Sequence, residues 1–216
     1  MAANHIGNTQ DLPPRTIQCV SQSDIIVFEE DRAARATLKA AKIHRQYLKY
    51  NEHNQKDTLE HISTALKLGK TVCYISDQGN PCLADPGHHI VKLGTKLDCH
   101  IQIIPGPSSI TAAISACPFP MESFVYSGFL PRETNKREKA IQQIVKEKLP
   151  CIILDTPYRM KSLIQLLESS LPSQRHALLA VDITGPQENY FFGKLSNLKK
   201  KCENLPKLNF VLIINK

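Results

Sequence analysis

The residues best equipped for chemistry lie in one run, Ser76-Asp77-Gln78-Gly79-Asn80-Pro81-Cys82-Leu83-Ala84-Asp85-Pro86-Gly87. Before it stands Thr71-Val72-Cys73-Tyr74-Ile75, which reads as a short buried strand; after it, His88 to Gly94 reads as the start of a helix. Two glycines, two prolines and two aspartates therefore gather at the carboxyl end of a strand. In an open α/β sheet that edge is where small ligands bind. Glycine reaches backbone angles other residues avoid, and proline fixes φ, so such a loop is shaped. The competing reading is an ordinary βα turn in which Asp85 caps the next helix.

Four further segments carry polar and glycine residues at loop positions: Ile6-Gly7-Asn8, Glu29-Glu30-Asp31-Arg32, Asn51-Glu52-His53-Asn54 and Pro105-Gly106-Pro107-Ser108-Ser109. If the sheet is parallel, loops at one edge converge on one cleft. The hydroxyls of Ser108 and Ser109, with the N–H groups of a helix start, suit a carboxylate or a ribose, or simply cap the helix. Consecutive residues cannot all face one ion, so Glu29-Glu30-Asp31 reads as pairing with Arg32 or Arg35 rather than as a metal site. His53, flanked by Glu52 and Asn54, reads more readily as a surface or structural residue than as a functional one. The chain contains no G-x-G-x-x-G, Walker loop or G-x-S-x-G, which leaves dinucleotide, nucleoside triphosphate and serine-hydrolase chemistry without support.

The elements that must position these loops alternate. Ser23 to Glu29 reads as a strand, Ala33 to Lys42 as a helix rich in alanine and basic residues, and Asp57 to Leu68 as a helix ending at Gly69. Thr71 to Ile75 and Cys99 to Ile104 read as strands, and Ile110 to Ala116 as a helix. Such alternation predicts a parallel sheet covered on both faces. Pro118 and Pro120 mark a hinge, which divides the chain into residues 1–117 and 118–216. In the second part the readings are strands at 124–128, 151–155, 176–184 and 210–215, helices at 136–148, 161–169 and 196–203, and a segment at 189–193 placed to pair with the 176–184 strand. The fold class is α/β: two α/β domains, the first with a mainly parallel sheet and the second with a mixed one.

At 216 residues the chain can bury a substantial core. No apolar run is long enough to cross a bilayer, and the N-terminus lacks a secretion signal, so a cytoplasmic location is expected. Seven scattered cysteines without a C-x-x-C pair argue against a disulfide framework and a zinc site. The net charge of +7 is uneven: 12 basic against 11 acidic residues up to Cys117, then 15 against 9. A basic second half suits a polyanion such as RNA, or reflects lysine-rich helix surfaces.

In order along the chain, S-D-x-G-x-P-x-x-x-D-P-G, P-G-P-S and G-F-L-P resemble the tetrapyrrole-methylase superfamily of S-adenosylmethionine-dependent methyltransferases. Within it the resemblance is strongest to the ribosomal RNA small subunit methyltransferase I family. That family also shows I-G-N, E-D-x-R and E-H-N, here Ile6-Gly7-Asn8, Glu30-Asp31-Arg32 and Glu52-His53-Asn54. The resemblance implies a homodimer with S-adenosylmethionine in the cleft between domains, and methyl transfer to the ribose 2′-hydroxyl of a cytidine in small-subunit rRNA. It places Asp77, Gly79, Ser108, Ser109 and Ala180 at the cofactor. It places Arg32, Asn54 and Arg159 at the substrate, and makes Asp31 and His53 the candidate bases.

The sequence departs from the family in three places. Most of the hydrophobic strand that precedes I-G-N is absent, so either the start is shortened or the sheet lacks a strand. Y-E-S-P-H-R appears as Leu154-Asp155-Thr156-Pro157-Tyr158-Arg159, and A-R-E-L-T-K as Ala180-Val181-Asp182-Ile183-Thr184-Gly185. Methyl transfer from a sulfonium is an in-line displacement that requires alignment and a proton acceptor but no metal. Methylation of a tetrapyrrole ring carbon and a non-catalytic RNA- or cofactor-binding paralogue are the alternative readings.

Overall fold

The computed structural model describes every residue except Glu52 and Ser173. The chain divides into two compact units, Met1–Ser108 and Ser109–Lys216.

The first unit contains α1 (Pro14–Gln22), β1 (Ile25–Phe28), α2 (Asp31–Ala41), β2 (Leu48–Lys49), α3 (Gln55–Lys67), β3 (Val72–Ile75) and α4 (Gly87–Lys96). The strands run in the order β2-β1-β3, all parallel, with Ile25 opposite Val72 and Phe28 opposite Ile75. Alternate strand residues point to opposite faces. Ile26, Phe28, Cys73 and Ile75 therefore meet Val20 of α1 and Ala34 and Leu38 of α2 on one side. Val27 and Tyr74 meet Ile62 of α3 and Ile90 of α4 on the other. The sheet is thus covered on both faces, as the alternation predicts.

The segment absent by comparison with the family is replaced by the first three residues. Ala2 bridges Ile75 on one side and Ile104 on the other, both in parallel sense. Its N–H donates to Tyr74 O at 2.9 Å, Ala3 N–H to Ile104 O at 3.0 Å, and Ile104 N–H to Met1 O at 2.9 Å. The sheet therefore has a short strand there rather than a gap. The strand expected over 99–104 shrinks to the single bridge at Ile104, because so short a neighbour offers no longer ladder. Sequence periodicity also gave no sign of α1, where only Thr16 and Val20 are buried, or of β2 with its two residues.

The second unit contains α5 (Ser109–Ser115), β4 (Val125–Phe129), α6 (Thr134–Lys146), β5 (Cys151–Asp155), α7 (Met160–Ser170), β6 (His176–Val181), β7 (Asn189–Lys194), α8 (Leu195–Cys202) and β8 (Phe210–Ile214). Its sheet runs β4-β5-β8-β6-β7 and is mixed: β4 and β5 are parallel and the other pairs antiparallel. One face, with Ile153, Leu179 and Leu212, packs on α6, α7 and α8. The 176–184 strand stops at Val181 because Asp182 and Thr184 both take positive φ, turning the chain into β7.

Candidate functional site

Parallel register brings the carboxyl ends of Met1–Ala3, β1 and β3 to one edge of the first sheet, with the loops that follow them. Side chains lace these loops together. Asn4 is fully buried; its amide nitrogen donates to Thr37 Oγ1 at 2.9 Å and to the carbonyls of Ser76 and Asp77, each at 3.1 Å. Its oxygen accepts from the Thr37 hydroxyl at 3.1 Å and from His5 N–H at 2.9 Å. Asn80 joins the β3 loop to the Pro-Gly-Pro loop, donating to Gly106 O at 3.3 Å and accepting from Gly106 N–H at 3.2 Å. Glu30 N–H donates to Asp77 Oδ1 at 3.1 Å, tying in the β1 loop. Neither Asn4 nor Asn80 was singled out in the sequence. Asn4 could have been found only by asking what satisfies a buried loop backbone.

Gly79 sits where these loops touch. Its φ is +68°, and a Cβ there would stand 3.2 Å from Pro107 O and 3.3 Å from Ile6 Cγ2. The close approach requires glycine. Asp85 does the structural work foreseen for it: its carboxylate accepts from Gly87 N–H, the first residue of α4, at 2.8 Å, and from Cys82 N–H and the Tyr74 hydroxyl.

Asp77 is different. Burial, with help from the negative charges of Glu30 and Asp85, pushes its carboxyl up to about 6, against the Glu30 N–H bond that lowers it. The edge therefore concentrates negative charge where solvent does little to offset it, which favours a cationic ligand. S-adenosylmethionine carries a sulfonium, an ammonium and ribose hydroxyls, and the residues present fit it: the Asp77 carboxylate for hydroxyl or cation, and the cradle that Gly79 keeps free of a side chain. His5 Nδ1 is buried beside this cradle without a hydrogen-bond partner among the described residues, and burial lowers its pKa.

The two candidate bases are unlike. Asp31, the first residue of α2, accepts from Lys49 Nζ at 2.8 Å and from the Tyr47 hydroxyl at 3.1 Å. Its pKa is held low chiefly by the Lys49 hydrogen bond, so it is a weak proton acceptor. His53 is exposed, in a turn pinned by its own N–H to Asn51 Oδ1 at 3.1 Å. Asn54 accepts from Asn51 N–H at 2.8 Å and donates to Lys49 O at 2.9 Å, so both ends of its amide hold that turn. Arg32 is exposed on α2. Glu52 lies outside the described residues.

Ser108 closes the first unit and Ser109 opens α5 in the second. Ala180 is fully buried in β6, between Val211 and Tyr190. Arg159 meets Asp155, whose side chain is wholly buried, and Arg137 reaches the same carboxylate at 3.3 Å. Arg137 was not anticipated; its helix gave no sign that it turns inward. Among the described residues no group of His, Cys, Asp or Glu is arranged to hold a metal ion, and no helix is long and apolar enough to cross a membrane.

Two α/β units, the first with glycine- and acid-bearing loops at the carboxyl edge of a parallel sheet, define a fold shared with several solved structures. Solved structures with this fold include a diphthine synthase (TM-score 0.76, 14% identity, covering 99% of this chain and 88% of that one). A cobalt precorrin-4 methyltransferase aligns with TM-score 0.70 at 13% identity, covering 99% and 94%. The profile of the tetrapyrrole (corrin/porphyrin) methylases matches residues 6–199. The chain belongs to the tetrapyrrole methylase family, S-adenosylmethionine-dependent methyltransferases. Among curated proteins it is 30% identical to the ribosomal RNA small subunit methyltransferase I of Thermotoga maritima over 210 residues, covering 97% of this chain and 93% of that one. The protein of that name from Escherichia coli O157:H7 is 28% identical, with 97% and 74% covered.

Proposed function

We propose that this protein methylates the ribose 2′-hydroxyl of a cytidine in small-subunit rRNA, as a cytoplasmic homodimer acting on the small ribosomal subunit. The observation that carries the reading is the near full-length similarity to proteins named for small-subunit rRNA methylation. Asp77, Gly79, Ser108 and Ser109 hold the cofactor, and Ala180 joins them on the resemblance of its motif. When bound, S-adenosylmethionine supplies an electrophilic methyl group.

The chain's own residues do the rest. A ribose hydroxyl needs a base to take its proton as the new bond forms. Of the two candidates His53 is the better acceptor, since Asp31 is already committed to Lys49 and Tyr47. Asn54 serves the substrate by fixing the turn that carries His53. Arg32 supplies a guanidinium group for phosphate, and Arg159, held by the buried Asp155, is assigned to the substrate on its motif position.

The test is methyl transfer from labelled S-adenosylmethionine to small subunits that lack their native decoding-region methylation, followed by RNA digestion and mass spectrometry. A 2′-O-methylated cytidine is the expected product. Cofactor binding without label in any ribose would refute the substrate.

A further inference from the structure

From Arg32 to Arg45 the chain carries five basic residues and no acidic one. This is the most one-sided stretch in a half of the molecule that is otherwise nearly neutral, and the methyl-transfer reading uses only its first residue. Helical spacing arranges the charges. Arg32, Arg35 and Lys39 fall at i, i+3 and i+7, within an arc of about 60° at 3.6 residues per turn, and Lys42 follows as the left-handed residue that ends the helix. All four are exposed, and none makes an ion pair among the described residues. Arg45 is different: its guanidinium caps the carboxyl end of α1 through the carbonyls of Val20 and Ser21.

Asp31, one turn before Arg35, is the only acid on this helix and is held by Lys49 and Tyr47, so the face beyond it is basic only. Arg35, Lys39 and Lys42 border a groove of about 550 Å³ whose floor includes Leu38 and Ile43. The helix begins at the carboxyl edge of the sheet, directly after the β1 loop that Asp77 ties to the candidate cofactor site. From Arg32 to Lys42 the stripe is about 15 Å long, at 1.5 Å per residue. That is enough for a few successive phosphates of an extended single strand.

We propose that the α2 stripe Arg35-Lys39-Lys42 is a docking track for the single-stranded RNA backbone flanking the target nucleotide, leading it to Arg32 and the candidate site. The partner is a polyanion of regularly spaced phosphates, with the apolar floor accommodating sugar or base edges. The inference rests on the rRNA reading above and adds where the RNA lies.

The test uses the full chain and a 15-nucleotide fluorescein-labelled single-stranded RNA, with affinity measured by anisotropy across a range of salt concentrations. The variant is R35Q/K39Q/K42Q, three exposed changes that bury no charge. The expected result is at least about tenfold weaker RNA binding and a salt slope reduced by about 2, given about 0.7 per phosphate contact on single strands. S-adenosylmethionine affinity and melting temperature stay as in the wild type. Unchanged affinity and slope would overturn the track, as would displacement of the RNA by polyglutamate at equal charge concentration. If the wild type methylates small subunits and the variant does so with the same KM, the track fails and the rRNA reading stands. If the stripe binds RNA but no rRNA is methylated, the track stands and the rRNA reading fails.

Discussion

Asn4 and Thr37 hydrogen-bond in both directions, amide to hydroxyl at 2.9 Å and hydroxyl to amide oxygen at 3.1 Å, with both residues fully buried. Through that pair α2 is fastened to the N-terminal segment, and Asn4 also holds the carbonyls that open the β3 loop. Replacing Asn4 by Ala strands several buried polar groups at once, each costing about 1–3 kcal/mol when left unsatisfied. Urea denaturation is expected to show Asn4→Ala well below wild type. Thr37→Val costs less, and the double variant costs less than the sum because both changes break the same contact.

On the proposed reading, Asp77 links stability to cofactor binding. Its folded pKa of about 6 exceeds the ordinary carboxylate value of about 3.9. The folded protein therefore keeps a proton that the unfolded chain releases, and stability falls as pH rises between those values. Asp77→Asn removes the penalty. After allowance for partial exposure, the expected gain is about 1–2 kcal/mol at pH 7.5, with no gain at pH 4. The same substitution weakens S-adenosylmethionine binding in calorimetry, and wild-type affinity declines as pH drops through about 6.

Gly79→Ala meets two obstacles, a positive φ and contacts tighter than a Cβ ordinarily makes with Pro107 O and Ile6. Strain of this kind costs about 1–3 kcal/mol. Thermal melting is expected to drop, together with cofactor affinity, because the loops must part to admit the methyl group.

His53→Ala is expected to slow single-turnover methyl transfer by about 10²–10⁴, the usual worth of a general base. Cofactor affinity should not change. Asp31→Asn, whose carboxylate is engaged elsewhere, should lose much less. The reverse ranking would move the proton to Asp31.

Cys19 and Cys73 stand with their sulfurs 3.0 Å apart. Their contact lowers the Cys19 thiol, while that same contact and burial raise Cys73. Cys19, the more exposed and more acidic of the two, should therefore alkylate ahead of Cys73. Cys73→Ala should move the midpoint of Cys19 labelling upward, as mass spectrometry across pH would report.

Strong periodicity made the alternation of strands and helices legible, and the Gly/Pro loop marked the sheet edge. Less visible were features set by long-range contact. Nothing in Met1-Ala2-Ala3-Asn4 resembles a strand, since two alanines carry little pattern; their role follows from the slot between Ile75 and Ile104. Arg137 lies in a charged helix whose other basic residues face water, so only the buried Asp155 reveals why it turns inward. Asp31 and Asn54 stood in the right motifs, yet motif position could not show that Lys49 occupies one and the Asn51 turn the other.

The slot filled by Met1–Ala3 also bears on how the first unit forms. Its hydrogen bonds reach Tyr74 and Ile104, the latter roughly a hundred residues along the chain. Closing a loop of that length costs about 4 kcal/mol more than bringing neighbours together. Contacts so distant in sequence slow folding. The short strand between β3 and Ile104 is therefore expected to be among the last to be seated, and the sheet edge that carries the candidate loops to be completed only with it.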